Sequence, residues 1–482
     1  MNAAALDRLR RSRHFLPIVV LTAVFVGSRA LIRGLGVEFD TSSLRYFWQF
    51  LDVPLLQHHL LSSLWNLHSQ PPLYNLWLGL DLKIAGGHAE TFMHLQYVAL
   101  GLVFTLLLYG VFERVTRRRR LSVAAAAIIS VSPAVLLYEN WLFYEYPVAV
   151  MLVAALFALA MFVERRSVLW GVTFFTFLAA LVYTRATFQL PWLLLIIGLL
   201  LWTLPGARRA VLVSCAVPVL VVVLLYVKNE AVFGIPTTSS WAGMNLAEIA
   251  FAKLPQTTKT KLIADGTLSS TAAIPPFSPL ADYPGAVHRT RRTGVAALDD
   301  QVKAPRPGEP DTPVNFNNLA YVAISNTYQH DALRLIETHP GVYLAGVKLG
   351  LTRFFEPSSD NLFLARNRST IGSWNARFNE LLLWRFRRIS LISFALVLAY
   401  AVALAYGVAL AAELRRNRAG PMSARLPVLG VTWLTVVWVA LLTTFGEVSE
   451  NQRLHFCLDP LVLLLDLSAV LALVGRPLTA RR

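Results

Sequence analysis

The stretch EYPVAVMLVAALFALAMFV, residues 145–163, decides the fold class. An α-helix needs roughly 20 apolar residues to cross about 30 Å of hydrocarbon, and this stretch carries a single charge, at its first residue. Nine further runs of similar character occur along the chain. We therefore predict about ten transmembrane helices, at 14–33, 92–113, 121–139, 145–163, 167–184, 188–204, 210–227, 389–412, 426–445 and 457–474.

The composition supports the same class. Of 482 residues, 56% are hydrophobic and 15% are charged, against roughly 25% charged in an ordinary soluble domain. This excludes a soluble or disordered protein, so the predicted fold is an all-α integral membrane protein. The two cysteines, Cys215 and Cys457, lie in or beside apolar runs, so neither a disulfide framework nor a thiolate metal site can be built.

The net charge of +16 has two interpretations, a nucleic-acid binder or a membrane topology signal. The short loops hold the basic clusters: Arg8–Arg13, Arg114–Arg120, Arg165–Arg166, Arg208–Arg209, Arg415–Arg425 and Arg476–Arg482. Basic residues accumulate in short cytoplasmic loops of membrane proteins. The charge therefore predicts topology, with the bilayer as partner and no nucleic acid.

Two shorter apolar stretches, 71–85 and 342–355, are predicted to be interfacial helices. The alternative for 71–85 is an eleventh span, which would move Arg117–Arg120 to the outside against the positive-inside rule. Charges within both stretches, such as Asp81 and Lys348, also favour the interface.

This topology divides the chain into three regions. Residues 1–227 form a seven-span core that includes a first outside loop (34–91), 228–388 form a large mixed outside loop, and 389–482 form a three-span C-terminal region. Acids, histidines and aromatics collect on the outside, which predicts an extracytoplasmic site for a lipid-linked substrate. An excess of Arg over Lys and abundant Ala favour the inner membrane of a bacterium.

Acidic residues on the outside face are candidates for catalysis. Asp40 follows the first span, where a carboxylate could act as general base or simply cap the helix that begins near Ser42. Glu139 and Glu145 bracket an outside turn and could complete an acid pair, orient a substrate or hold a divalent cation. Interfacial anchoring by the neighbouring aromatic residues is the alternative.

Cationic residues gather on the same predicted face. Arg29, Arg185 and Arg453 could clamp a phosphate through bidentate hydrogen bonds, or could extend to lipid headgroups. His68 precedes Pro71-Pro72 at a predicted helix start, where free N–H groups can hold an anion, and it is either a phosphate-binding or a structural histidine.

Several of these motifs together resemble the GT-C superfamily of membrane glycosyltransferases. The resemblance is particularly to the family 39-like branch, which contains protein O-mannosyltransferases and the lipid A aminoarabinose transferase. The similar segments are the acid after span one, the H-x-x-P-P-L-Y segment His68–Tyr74, the turn with Glu139 and Glu145, the turn Thr184–Phe188, and ENQRLHFCLDP at 450–460.

The resemblance implies an inverting transfer of a sugar from a polyprenyl-phosphate donor to an acceptor hydroxyl of a glycan, lipid or protein outside the cytoplasm. It implies Asp40 as the base, with Asp52 as the alternative, and Glu145 or Glu139 as the second acid. It also implies that Arg185 and Arg453, with Arg29 and His68, hold the leaving phosphate.

A transporter or lipid flippase is the alternative from another functional class. Such a protein would have repeated halves, broken spans and ionisable groups near the membrane midplane. Asp466 is the clear midplane acid of this sequence, and it could serve a proton relay or be a satisfied buried acid.

Overall fold

The structure, a computed structural model, describes residues 13–283, 292–305, 312–385, 392–416 and 425–474. Within these ranges every regular element is helical, and backbone pairing of the β type is limited to two isolated bridges. The prediction of an all-α chain is therefore confirmed for the described residues.

The first half of the chain contains helices of very different lengths. In chain order they are α1 (Phe15–Gly34), α2 (Ser43–Tyr46), α3 (Val53–His58), α4 (Leu60–Trp65), α5 (Leu73–Ala85), α6 (Ala89–Thr116), α7 (Arg119–Ser130), α8 (Pro133–Glu139), α9 (Glu145–Arg165), α10 (Val168–Thr184), α11 (Leu190–Thr203) and α12 (Arg208–Phe233).

The second half alternates short helices with long apolar ones. They are α13 (Ala242–Phe251), α14 (Gln256–Ala264), α15 (Ala296–Asp299), α16 (Ala320–Thr338), α17 (Pro340–Phe354), α18 (Ala365–Thr370), α19 (Gly372–Arg377), α20 (Phe394–Arg416), α21 (Arg425–Gly446), α22 (Asn451–His455) and α23 (Asp459–Val474).

In the described part of the chain, seven helical stretches are long and apolar enough to cross a membrane. The bent pair α7 and α8, which meet at 55°, would make an eighth span. Helices α10 and α11 are apolar but shorter, and they coincide with two further predicted spans. The chain thus fits a multi-pass membrane protein, while the predicted count of ten spans is not confirmed.

Helix α5 folds back along α6 instead of extending it. The hydroxyl oxygens of Tyr74 and Tyr97 are 2.7 Å apart, whereas 23 residues of straight helix would separate them by about 35 Å. Gly86, with a φ of +51°, lies at the turn between the two helices. The predicted helix at 71–85 is thus present, packed as one arm of a hairpin.

Helix α9 lies at the centre of the helical bundle. Its residues are buried on all sides, which is expected of a helix that is apolar all round. Helices α6, α10 and α21 pack around it. Its first residue, Glu145, is a charged group held at the buried end of the central helix.

A second hydrophobic core lies in the region predicted as the large outside loop. It is built mainly from α13 and α16, and Met244, Tyr321 and Tyr328 are among its fully buried side chains. The two helices approach very closely at Gly243, where a Cβ atom would lie 1.9 Å from the carbonyl oxygen of Ser325. This close packing fixes the position of α13.

Candidate active site

A cavity of about 430 Å³ lies where several separate parts of the chain meet. They include the first predicted outside loop, the turn between α10 and α11, helix α13, and the segment from the end of α21 through α22. Its charged lining residues are Arg185, Arg453, Glu248, Glu447 and Glu450. Aromatic side chains, including Trp48, Trp241 and Phe277, form much of the remaining wall.

The two arginines of the cavity lie against one buried carboxylate. Arg185 Nη2 and Arg453 Nε are each 3.3 Å from Glu145 Oε1, and the Glu145 side chain has no exposed surface. The turn after α10 supplies Arg185, and the short helix α22 supplies Arg453. The three groups come from distant parts of the sequence, so only the packing of α9, α10 and α22 brings them together.

These ion-pair contacts leave several hydrogen-bonding atoms without a partner. The contacts to Glu145 have the distance of an ion pair without the alignment of a hydrogen bond, so Arg185 Nη2 and Arg453 Nε and Nη1 are buried donors without an acceptor. A second carboxylate binds Arg453, because Glu450 Oε2 lies 2.8 Å from Nη2. Buried donors without acceptors are costly, and an anion in the cavity would satisfy them.

Two other carboxylates line the cavity without an ion pair among the described residues. Burial raises the pKa of Glu248 to about 7, the negative charges of Glu447 and Glu450 add to this effect, and Arg353 opposes it. Burial also raises the pKa of Glu447, against the attraction of Arg453. The cavity therefore combines guanidinium donors with a carboxyl group that changes charge near neutral pH.

Asp40, the predicted general base, is not part of the cavity lining. Its Oδ1 accepts a hydrogen bond from Ser42 N at 2.9 Å, which forms a local turn before α2, while the N-cap residue of α2 is Ser42 and makes no side-chain cap hydrogen bond. Its backbone pairs with the turn at Asn140 and Leu142. Asp52, the second choice for the base, accepts from Ala304 N at 2.5 Å and also lies outside the lining.

Glu139 and Arg29, predicted as second acid and phosphate ligand, form a buried pair of their own. Arg29 Nε lies 3.0 and 3.2 Å from the two carboxylate oxygens of Glu139, and Tyr146 donates to the same carboxylate at 2.9 Å. Neither residue lines the cavity. Of the two glutamates that the sequence singled out, the structure therefore places Glu145, and not Glu139, beside the cavity arginines.

His68, predicted as a phosphate ligand, is fully buried outside the cavity lining. Its Nδ1 lies 2.8 Å from the Ser240 hydroxyl, and its backbone N–H donates to Asn317. Burial lowers the pKa of His68 to about 3, so the imidazole is neutral at physiological pH. The structure therefore places His68 outside the lining of the cavity that holds Arg185 and Arg453, and its role as a phosphate ligand stays a prediction.

Glu248 and Glu447 were missed by the sequence reasoning. Glu248 is the one charged residue of the segment AGMNLAEIAF that forms α13, so a single acid in a short apolar helix was the signal available.

Among the described residues, no group of three or more His, Cys, Asp or Glu side chains is arranged to hold a metal ion. Cation binding, one of the three roles considered for Glu139 and Glu145, thus finds no such ligand cluster there.

No protein-family model, curated protein or solved structure matches this chain.

Proposed function

We propose that this protein transfers a glycosyl unit from a polyprenyl-phosphate donor to an acceptor hydroxyl, with inversion at the sugar carbon. The observation that carries the proposal is the pair of buried guanidinium groups, Arg185 and Arg453, whose unpartnered N–H donors border a cavity large enough for a sugar. The leaving group of such a donor is a phosphate, and arginine is well suited to bind phosphate.

The arrangement suits a reaction in which negative charge grows on a departing phosphate. Donors that are already in place stabilise developing charge best when the site is largely free of water. Arg453 is 4% exposed and Arg185 is 3% exposed, so both guanidinium groups are largely shielded from bulk water. The Glu145 carboxylate lies 3.3 Å from both guanidinium groups, and this attraction restrains their position beside the cavity.

A lipid chain could lie in a second cavity that borders the same short helix. This cavity has a volume of about 330 Å³ and is lined mostly by apolar residues of α7, α8, α20 and α23. Arg453 and Leu454 line the first cavity, and the next two residues, His455 and Phe456, line the second. A polyprenyl phosphate bound across α22 would have its phosphate at Arg453 and its hydrocarbon between apolar helices.

The predicted topology sets the cavity on the extracytoplasmic side of a bacterial inner membrane. The cavity is built from the first outside loop, the turn after α10 and the segment before α22, all of which the distribution of basic loops assigns to that face. A lipid-linked donor supplies sugar there without a nucleotide.

The experiment uses polyprenyl phosphate itself, because it is the common product whatever sugar is transferred. The purified full-length protein in nanodiscs is titrated with polyprenyl phosphate and with unphosphorylated polyprenol. Binding is followed by the shift in thermal unfolding midpoint. We expect the phosphate to bind much more tightly than the alcohol. Equal affinity for both would contradict the proposal.

Replacement of the cavity arginines tests the same point. R453K and R185K keep the charge and lose bidentate geometry, so each should weaken polyprenyl-phosphate binding by about 10- to 100-fold. R334K, in an exposed ion pair with Glu337, is the matched control and should bind like the wild type. Unchanged affinity in both cavity variants would also contradict the proposal.

A flippase or transporter is the second candidate, and one observation favours it. Asp466 lies within the apolar stretch Asn451–Val474 and lines the second cavity, where its Oδ1 is buried without a hydrogen-bond partner. A flippase would move labelled polyprenyl phosphate across sealed liposomes, and D466N would abolish this movement. The glycosyltransferase proposal predicts no such movement.

A further inference from the structure

Glu248 is one of the residues that line the cavity described above. It lies on α13, and Ser325 Oγ accepts hydrogen bonds from the backbone N–H groups of Gly243 and Met244 at 3.1 and 3.3 Å. Together with the close approach at Gly243, these bonds hold α13 against α16. A carboxylate on a firmly packed helix can be presented to a substrate in a fixed direction.

The charges around Glu248 differ from those around Glu447. The charged groups that act on Glu248 are Glu447 and Glu450, from the segment after α21, and Arg353, from α17. The helix packed most closely against it, α16, faces α13 with the uncharged Ser325. Glu447, in contrast, is under the influence of Arg453 and Arg185. Neither cavity arginine is among the charged groups that act on Glu248, whereas both act on Glu447.

This separation matters for an inverting transfer. The attacking hydroxyl and the leaving group approach the sugar carbon from opposite faces, so a base must stand apart from the groups that hold the leaving phosphate. Glu450 is engaged by Arg453 at 2.8 Å, and Asp40 and Asp52 lie outside the lining. Of the two lining carboxylates that have no ion pair among the described residues, Glu248 is the one on which neither cavity arginine acts.

We propose that Glu248 is the catalytic base that accepts the proton of the acceptor hydroxyl. The inference rests on the proposed function. In this step the acceptor oxygen forms a bond to the anomeric carbon while its proton passes to the Glu248 carboxylate. The bond from that carbon to the phosphate oxygen breaks, and the electron pair leaves with polyprenyl phosphate, which Arg185 and Arg453 hold.

The acid–base behaviour of Glu248 agrees with this role. A base works best when its pKa lies near the operating pH, and burial raises the pKa of Glu248 to about 7. The carboxylate must be ionised to accept a proton, so kcat/KM should rise with pH through about 7 and then level off. This rising limb is a signature that a purely structural residue would not produce.

The test uses the full-length protein in liposomes with a panel of radiolabelled polyprenyl-phosphate hexoses and pentoses. Membranes from cells that lack the protein supply the acceptor, and transfer of label is measured between pH 5.5 and 9. We expect E248Q to lose at least about 100-fold in transfer, within the range of general-base contributions, while its affinity for polyprenyl phosphate stays unchanged. E248D should keep part of the activity. E337Q, at an exposed position of α16, should behave like the wild type.

The outcomes separate the two proposals. Retention of wild-type transfer and of the rising pH limb by E248Q would overturn the role of Glu248 and leave the proposed function standing. Loss of transfer in D40N together with full activity in E248Q would assign the proton to Asp40 and also overturn it. Absence of both transfer and polyprenyl-phosphate binding in the wild-type protein would overturn the proposed function and this inference together.

Discussion

The Nε atom of Arg29 donates hydrogen bonds to both carboxylate oxygens of Glu139, at 3.0 and 3.2 Å, between residues 110 positions apart. Arg29 Nη1 also donates to Ser130 O at 2.8 Å. Arg29 and Glu139, which the sequence suggested as a phosphate ligand and a catalytic acid, thus form an ion pair with each other. Both lie outside the cavity lining, and their pairing ties α1 to the end of α8.

Removing one partner of this pair should destabilise the protein without removing the phosphate site. E139Q or R29M leaves one buried charge unpaired, at a cost of about 3–5 kcal/mol. The double variant R29M/E139L should recover much of that loss, because it leaves no unpaired charge. Unfolding in mixed micelles and polyprenyl-phosphate binding are measured together. The prediction fails if E139Q keeps wild-type stability but no longer binds.

Replacing Gly243 should disturb the site through α13. A methyl group there would meet the Ser325 carbonyl oxygen, so G243A should cost about 1–3 kcal/mol and lower transfer by shifting Glu248. G341A is the control, since a Cβ at Gly341 has no atom within 4 Å. Thermal unfolding midpoints and transfer rates measure both effects. Equal midpoints for the two variants would show that α13 can move away at no cost.

The buried His68 should make stability depend on pH in the acid range. Its pKa is lowered to about 3 in the folded protein by burial, from an ordinary value of 6.5. Between these values the unfolded state binds the extra proton, so stability is complete above about 6.5 and falls as the pH drops towards 3. H68Q should have a lower midpoint at pH 7 and a flatter profile between pH 4 and 7. A wild-type profile in H68Q would contradict this account.

Lys303 should act as a pH-dependent clamp on the first loop. Its Nζ donates to the carbonyl oxygens of Phe47 and Arg45 at 2.7 and 3.2 Å, as either an amine or an ammonium group can. Burial lowers its pKa to about 7, from an ordinary value near 10.4. Between these values the open state binds the extra proton, so the clamp should tighten as the pH rises above about 7.

Hydrogen exchange of residues 45–52, corrected for the intrinsic rate, measures this clamp. Protection should increase between pH 7 and 9 in the wild type and should be lower and independent of pH in K303M. K261M, on the separate helix α14, is the matched control and should leave the protection unchanged. Identical protection in K303M and the wild type would show that Lys303 does not hold the loop.

Sequence reasoning anticipated part of the cavity and missed the rest for identifiable reasons. The arginines after α10 and in α22 were nominated because arginine near an outside turn suits phosphate, and the structure has both at 3.3 Å from Glu145. Asp40 was nominated by its place after a span. Its side-chain oxygen accepts from the N–H of Ser42, two residues further along, and the sequence left capping and catalysis open as alternatives.

The all-α membrane class was determined by the sequence alone, because the length and hydropathy of each helix are local properties that a stretch such as 145–163 carries in its own residues. Which charged groups share a cavity was decided only by the tertiary structure. Contacts such as that of Glu145 with Arg453 join residues some 300 positions apart. Their proximity arises from the packing of helices around α9. The local sequence around a buried side chain does not determine which distant side chain it will contact.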